Sequence, residues 1–276
     1  MKKAVSIVLL FIFSNSLLAQ SKQPNIQFDT DYFKAVDHWV VVPEVGTENK
    51  FLLGYIYIDE VTGFTFTESF PIEITPRGKW MRKASESIIL KRHLDKSTPL
   101  VLLVSTGKIR ELKLPKKSRW PNHEKDDHWI KGFHFNAIGK SEFAIPYLKI
   151  AYRKNPRNAA FELAYAYNAT DQFEKAVTLL SDVLKYKKDV VLFRELGYAL
   201  MKKGAFDDAE KAYENGIQLS NDNSQKAEMA VDMAKQFFQL RDTIKFEKWL
   251  SRSKKFAKKE EFILKIGDAS EIKNSK

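Results

Sequence analysis

The chain has 276 residues, 44% hydrophobic and 29% charged, which excludes a disordered polymer and suits two modest folded domains. It contains no cysteine, so lipoprotein acylation, a disulfide framework and thiol chemistry are excluded. The formal charge of +11 is read as a well-solvated surface, although a basic surface can also meet anionic lipid, glycan or nucleic acid.

The chain opens with Met1-Lys2-Lys3, an apolar run over 4–13 broken only by Ser6, and a polar-to-small exit ending at Ala19-Gln20. Residues 1–19 therefore read as a secretory signal peptide cut after Ala19, and the run is short for a membrane span. No second apolar stretch could span a membrane, so no transmembrane segment is expected after cleavage. This style of leader points to a Gram-negative bacterium and to a periplasmic or secreted protein.

Residues 20–114 read as a small all-β domain. Residues 39–43 form one strand, and 51–58 and 63–68 flank a hairpin turn at Asp59-Glu60-Val61-Thr62. Phe64 and Phe66 share a face, with Thr65 and Thr67 on the other, predicting a half-buried sheet. Residues 71–74 and 79–82 lie around Pro76-Arg77-Gly78, and Ile88-Ile89-Leu90 follows. Residues 100–104 and 109–114 are expected to pair across a turn at Ser105-Thr106-Gly107-Lys108, completing a small sandwich or curled sheet. Two prolines and several charges then mark 115–124 as a linker.

Signals for chemistry are weak. Ser105-Thr106-Gly107-Lys108 lacks the rest of a phosphate-binding loop, and no G-x-S-x-G is present. His123 and His128, with Glu124, Asp126 and Asp127, form the only cluster resembling metal ligands. Their spacing does not place both rings on one helix face, so solvated polar residues entering a helix explain them better. No cofactor, no metal and no catalytic residue is expected. Two basic runs, Lys108 to Arg119 and Arg252 to Lys259, are each interrupted or closed by glutamates, and no nucleic-acid motif accompanies them.

From about Asp126 the period changes to that of helices. Phe193, Leu196, Gly197 and Leu200 share one helix face, and Ala209, Tyr213 and Gly216 share another, with Lys203-Gly204-Ala205 turning between them. Upstream, Ala160, Leu163, Ala164 and Tyr167 precede Phe173, Ala176, Leu180 and Val183. Before them, Gly132 and Phe135 precede Ala144, Leu148 and Ala151. Downstream, Ala230, Met233, Ala234 and Phe237 precede Phe246, Trp249 and Leu250, with Phe246 in the place of the small residue. Ala144, Ala176 and Ala209 recur at close to the roughly 34 residues of one repeat family. One hairpin cannot bury its own apolar face, so the units must stack.

Phe193-x2-Leu196-Gly197-x2-Leu200 and Gly204-x-Phe206-x2-Ala209-x3-Tyr213 resemble the tetratricopeptide repeat, over less than half of the chain. The expected fold is α+β: a small all-β domain, then an α-helical tetratricopeptide-repeat solenoid with a C-terminal capping helix over 125–266, and a tail over 267–276. The resemblance implies a concave groove lined by corresponding positions of the first helices. These are Trp129, Phe133, Asn136 and Ala137 in the first unit, and Phe161, Tyr165, Asn168 and Ala169 in the second. Arg194, Tyr198, Met201 and Lys202 hold the same places in the third. Aromatic rings and amides there would hold a protein or peptide segment, unless the β-half or the capping helices already cover that face. The family's clamp for chaperone C-termini needs Lys and Asn where Trp129 and Phe133 stand, so that activity does not carry over.

The expected function is a non-catalytic, exported interaction or scaffolding protein, with no nucleic acid as partner. The alternatives are an envelope-surface binder of anionic glycan or lipid through the basic runs, and an enzyme with a site in the β-domain.

Overall fold

The computed structural model describes residues 26–43, 50–75, 77–82, 91–116 and 127–256. The signal peptide, Ile88-Ile89-Leu90, nearly all of the linker, the end of the capping helix and the tail lie outside these residues. The fold is α+β, an antiparallel sheet followed by paired helices. The chain divides into two compact units, one drawn from Met1–Tyr57 and Thr65–Trp120, the other from Ile58–Phe64 and Pro121–Lys276.

The sheet is built from β1 (His38–Pro43), β2 (Lys50–Asp59), β3 (Gly63–Ile74), β4 (Trp80–Arg82), β5 (Arg92–His93) and β6 (Leu102–Leu103), in the order β4-β3-β2-β1-β6 with β5 on β3. The expected hairpins at 59–62 and 75–79 are present. Asp59 caps the first by accepting the amides of Val61 and Thr62. Gly78, at φ +75°, closes the second in a conformation that favours glycine. One core gathers Trp39, Val41, Leu53, Tyr55, Tyr57, Ile72 and Ile74 on a single face. The Trp39 indole donates to the Pro115 carbonyl at 2.8 Å.

Two expectations for this half are corrected. The sheet is not half-buried where Thr65 and Thr67 lie, because both are buried together with Phe64 and Phe66. Every residue of β2 from Phe51 to Tyr57 is likewise buried. Gly54 fits this crowding, since a Cβ there would come within 2.3 Å of the Phe66 ring. The second correction concerns 105–114, which do not turn and form a strand. Ser105 caps a short helix, α1 (Thr106–Glu111), by accepting the Lys108 amide at 3.3 Å. Ile109 and Leu112, three apart, then pack with Leu114 on the sheet core.

Among the described residues the second unit holds eight further helices in four pairs: α2 (His128–Ala137) with α3 (Ser141–Lys154), α4 (Pro156–Ala169) with α5 (Phe173–Val183), α6 (Val190–Lys202) with α7 (Phe206–Leu219), and α8 (Asn223–Gln239) with α9 (Thr243–Phe256). Each first helix is capped by an Asx side chain, namely Asp127, Asn155, Asp189 and Asp222. Each pair turns through one left-handed residue, Gly139, Asp171, Gly204 or Arg241. After each of these the same backbone bond reaches back five residues: Lys140 to Phe135, Gln172 to Tyr167, Ala205 to Leu200, Asp242 to Phe237. That bond and the left-handed residue define a Schellman turn, so four dissimilar sequences make one geometry.

The predicted small residues sit at the crossings. A Cβ on Gly132 would come within 2.3 Å of Leu148, and one on Gly197 within 2.6 Å of the Tyr213 ring. Ala144, Ala176 and Ala209 are fully buried, and Phe246, in the same place of the fourth unit, is buried too. These pairs are consistent with tetratricopeptide repeats. Within this unit Phe64 meets Phe135 edge-on at 5.2 Å, and Phe135 stacks on Tyr147 at 5.7 Å.

Candidate functional site

The first helices α2, α4, α6 and α8 present corresponding positions along one side of the repeat stack. Seven of the nine predicted groove residues leave their side chains at least partly open to solvent. Phe133 and Tyr165, at equivalent places in α2 and α4, are each 39% exposed. Tyr198, at the third such place, is half-buried, with the Phe173 ring edge-on at 6.3 Å and the Lys202 ammonium 5.4 Å above it. One turn N-terminal, Trp129 stacks on Phe133 at 5.5 Å, and Phe161 tilts toward Tyr165 at 6.4 Å. Such ring pairs hold each other in place, which lowers the entropy lost when a ligand docks on them. Lys202 is exposed at the end of this row.

The two buried amides, and the partly open Arg194, have internal tasks. Asn136 and Asn168 are 6% and 4% exposed. Asn136 Nδ2 donates to Glu162 O at 3.0 Å and to Glu162 Oε2 at 2.8 Å. Asn168 Nδ2 repeats this on Glu195 at 3.1 and 2.9 Å. Each amide thus staples one first helix to the next instead of waiting for a partner's main chain. Arg194 bridges Glu195 at 3.5 Å and Glu228 at 3.6 Å, tying α6 to α8.

The acids in these staples were not anticipated. Glu162 and Glu195 are 7% and 8% exposed, and burial raises both carboxyls above the usual range against the Asn hydrogen bonds that favour ionisation. The fourth unit holds Asp232 in the matching place. Met201 stands where Asn136 and Asn168 stand in the earlier units, so no amide serves it. Burial pushes Asp232 up to about 6, with Lys235, Arg194 and the Tyr213 hydroxyl opposing and Glu228 reinforcing the shift. The available signal was an acid at the same place of successive apolar helix faces.

The basic runs are partly consumed within the fold. Lys108 pairs with Glu111 at 2.7 Å and lies over Trp80. Arg252 pairs with Glu214 at 3.1 Å and lies over Trp249, within a braid in which Lys245 meets Asp207 and Lys248 meets Glu210, both at 2.9 Å. His128 lies in the first turn of α2 behind its cap Asp127, while His123, Glu124 and Asp126 fall outside the described residues. Among the described residues no three or more His, Asp or Glu are placed to hold a metal, and no helix is long and apolar enough to cross a membrane.

No family model and no curated protein matches the chain. Among solved structures, one titled "MamA MSR-1 C2" is similar over 56% of this chain and 82% of that one, at 19% identity and a TM-score of 0.39.

Proposed function

We propose that this chain is an exported, non-catalytic interaction or scaffolding protein, which holds a segment of a partner protein against its first helices. The observation that carries this is the row Phe133, Tyr165 and Tyr198, repeated at one place of three successive helices and left open in the first two. Rings in that setting supply large apolar area at little conformational cost, and they dominate many interfaces. The staples beneath them, Asn136 to Glu162 and Asn168 to Glu195, fix the spacing of the helices that carry the rings.

The test is a crosslinking pull-down from the native envelope with the full chain. The double change Tyr165→Ala and Tyr198→Ala should abolish capture, with melting behaviour close to wild type. Replacing Lys254, Lys255, Lys258 and Lys259 with Gln should change only the salt dependence. Loss of capture in the lysine set, with no effect of the tyrosine pair, would replace this reading with the charged-surface one.

A further inference from the structure

At the N-terminal end of the aromatic row a cleft of 670 Å³ opens between α2, the end of α3 and the start of α4. Its apolar lining includes Trp129 and Phe161, the rings one turn N-terminal to Phe133 and Tyr165. Its charged lining is unequal: Lys154, Arg157 and Lys187 stand against Asp127 alone. Asp127 is occupied as the cap of α2, accepting the amides of Trp129 and Ile130. Lys187 shares its ammonium with Asp189 at 3.2 Å and the Arg157 carbonyl at 3.1 Å. Lys154 and Arg157 have no carboxylate partner among the described residues, and Arg157 lies over the Tyr186 ring.

Cations and flat apolar rings in one concavity match a ligand that brings carboxylates and an apolar side chain together.

We propose that this cleft is the acidic-peptide end of the groove. It would take an extended segment whose clustered Asp or Glu carboxylates meet Lys154, Arg157 and Lys187. An apolar side chain adjoining those acids would lie on Trp129 and Phe161. The rings and cations lie inside a concavity, which a peptide side chain can enter and a flat membrane surface follows less well. The proposal rests on the first-helix face being a partner-binding face, and it adds which partner that face selects.

The probe is a random dodecapeptide display library selected against the purified full chain, with phosphatidylglycerol vesicles as a second probe. Selection should enrich peptides with two or more acids beside an apolar residue, and raised salt should weaken them. In a triple variant, Lys154→Gln, Arg157→Gln and Lys187→Gln, their binding should fall about tenfold or more. Phe161→Ala removes one apolar wall of the cleft and keeps all three cations, so it should weaken the same peptides without changing their salt dependence. If neutral peptides are enriched and Tyr165→Ala with Tyr198→Ala removes them, the groove stands and the acidic assignment falls. If no peptide is enriched, both fall. If the vesicles bind through the three cations while acidic peptides do not, the cleft is a lipid-headgroup site and the proposal is overturned.

Discussion

Asp232, the acid in the row of Glu162 and Glu195 that lacks an amide partner, offers a quantitative test of its burial. Its carboxyl has a folded value of about 6 against an ordinary 3.8, raised chiefly by burial. Between those values the folded state holds a proton that the unfolded chain has lost. Stability associated with this group is therefore fully present below the unfolded value and is lost as pH rises through 6. A shift of this size corresponds to about 3 kcal/mol at neutral pH. Asp232→Asn removes the ionisation and keeps the size of the side chain. The side chain is only partly buried, so the realised gain at pH 7.5 should be about 1–3 kcal/mol. It should shrink to within about 0.5 kcal/mol of wild type at pH 4, where the carboxyl is largely neutral in the fold and much of the unfolded population is protonated too. Urea unfolding of both proteins at the two pH values isolates this group, because the other titrating groups are common to both. A gain equal at both pH values, or a loss at pH 7.5, would refute the burial of an ionised Asp232.

Asn168→Ala leaves the Glu195 carboxylate buried without its amide and should cost about 1–3 kcal/mol at pH 7.5, less at pH 5; denaturant melts decide it. Gly197→Leu drives new atoms into the Tyr213 ring at the α6–α7 crossing, and Ala209→Leu overfills the fully buried place of Ala209 on α7. Each should lower stability by about 1–3 kcal/mol or more, and wild-type melting temperatures in both would mean that these helices do not pair. The exported protein should begin near Gln20 and carry no lipid, and mass spectrometry finding Met1 intact would contradict export by a cleaved leader.

The repeat half was legible because its signal is redundant. Small residues at Gly132, Gly197, Ala144, Ala176 and Ala209 mark helix crossings, and the apolar period holds in both helices of each pair. The β-half was legible where a turn signal sits between two alternating runs, as at 59–62 and 75–79. It was misread at 105–114, where Ile109 and Leu112 fit either a strand or a short helix and the Ser105 cap decides. Of the residues expected to line a groove, the rings stand at least partly open, whereas the two amides are buried. A helix position one step from the packing residues faces either solvent or the next helix. Asn136 and Asn168 face the next helix because Glu162 and Glu195 stand there to receive them.

Site-specific photocrosslinking tests the proposed binding face most directly. Benzoylphenylalanine would be placed singly at Tyr165, at Tyr198 and, on the exposed side of a second helix, at Thr178, in the full chain within its native cells. Adducts to a shared partner should form at Tyr165 and Tyr198, be absent at Thr178, and diminish when the other tyrosine is changed to Ala. Adducts at Thr178 alone, or none at either tyrosine, would contradict a partner held against the first helices.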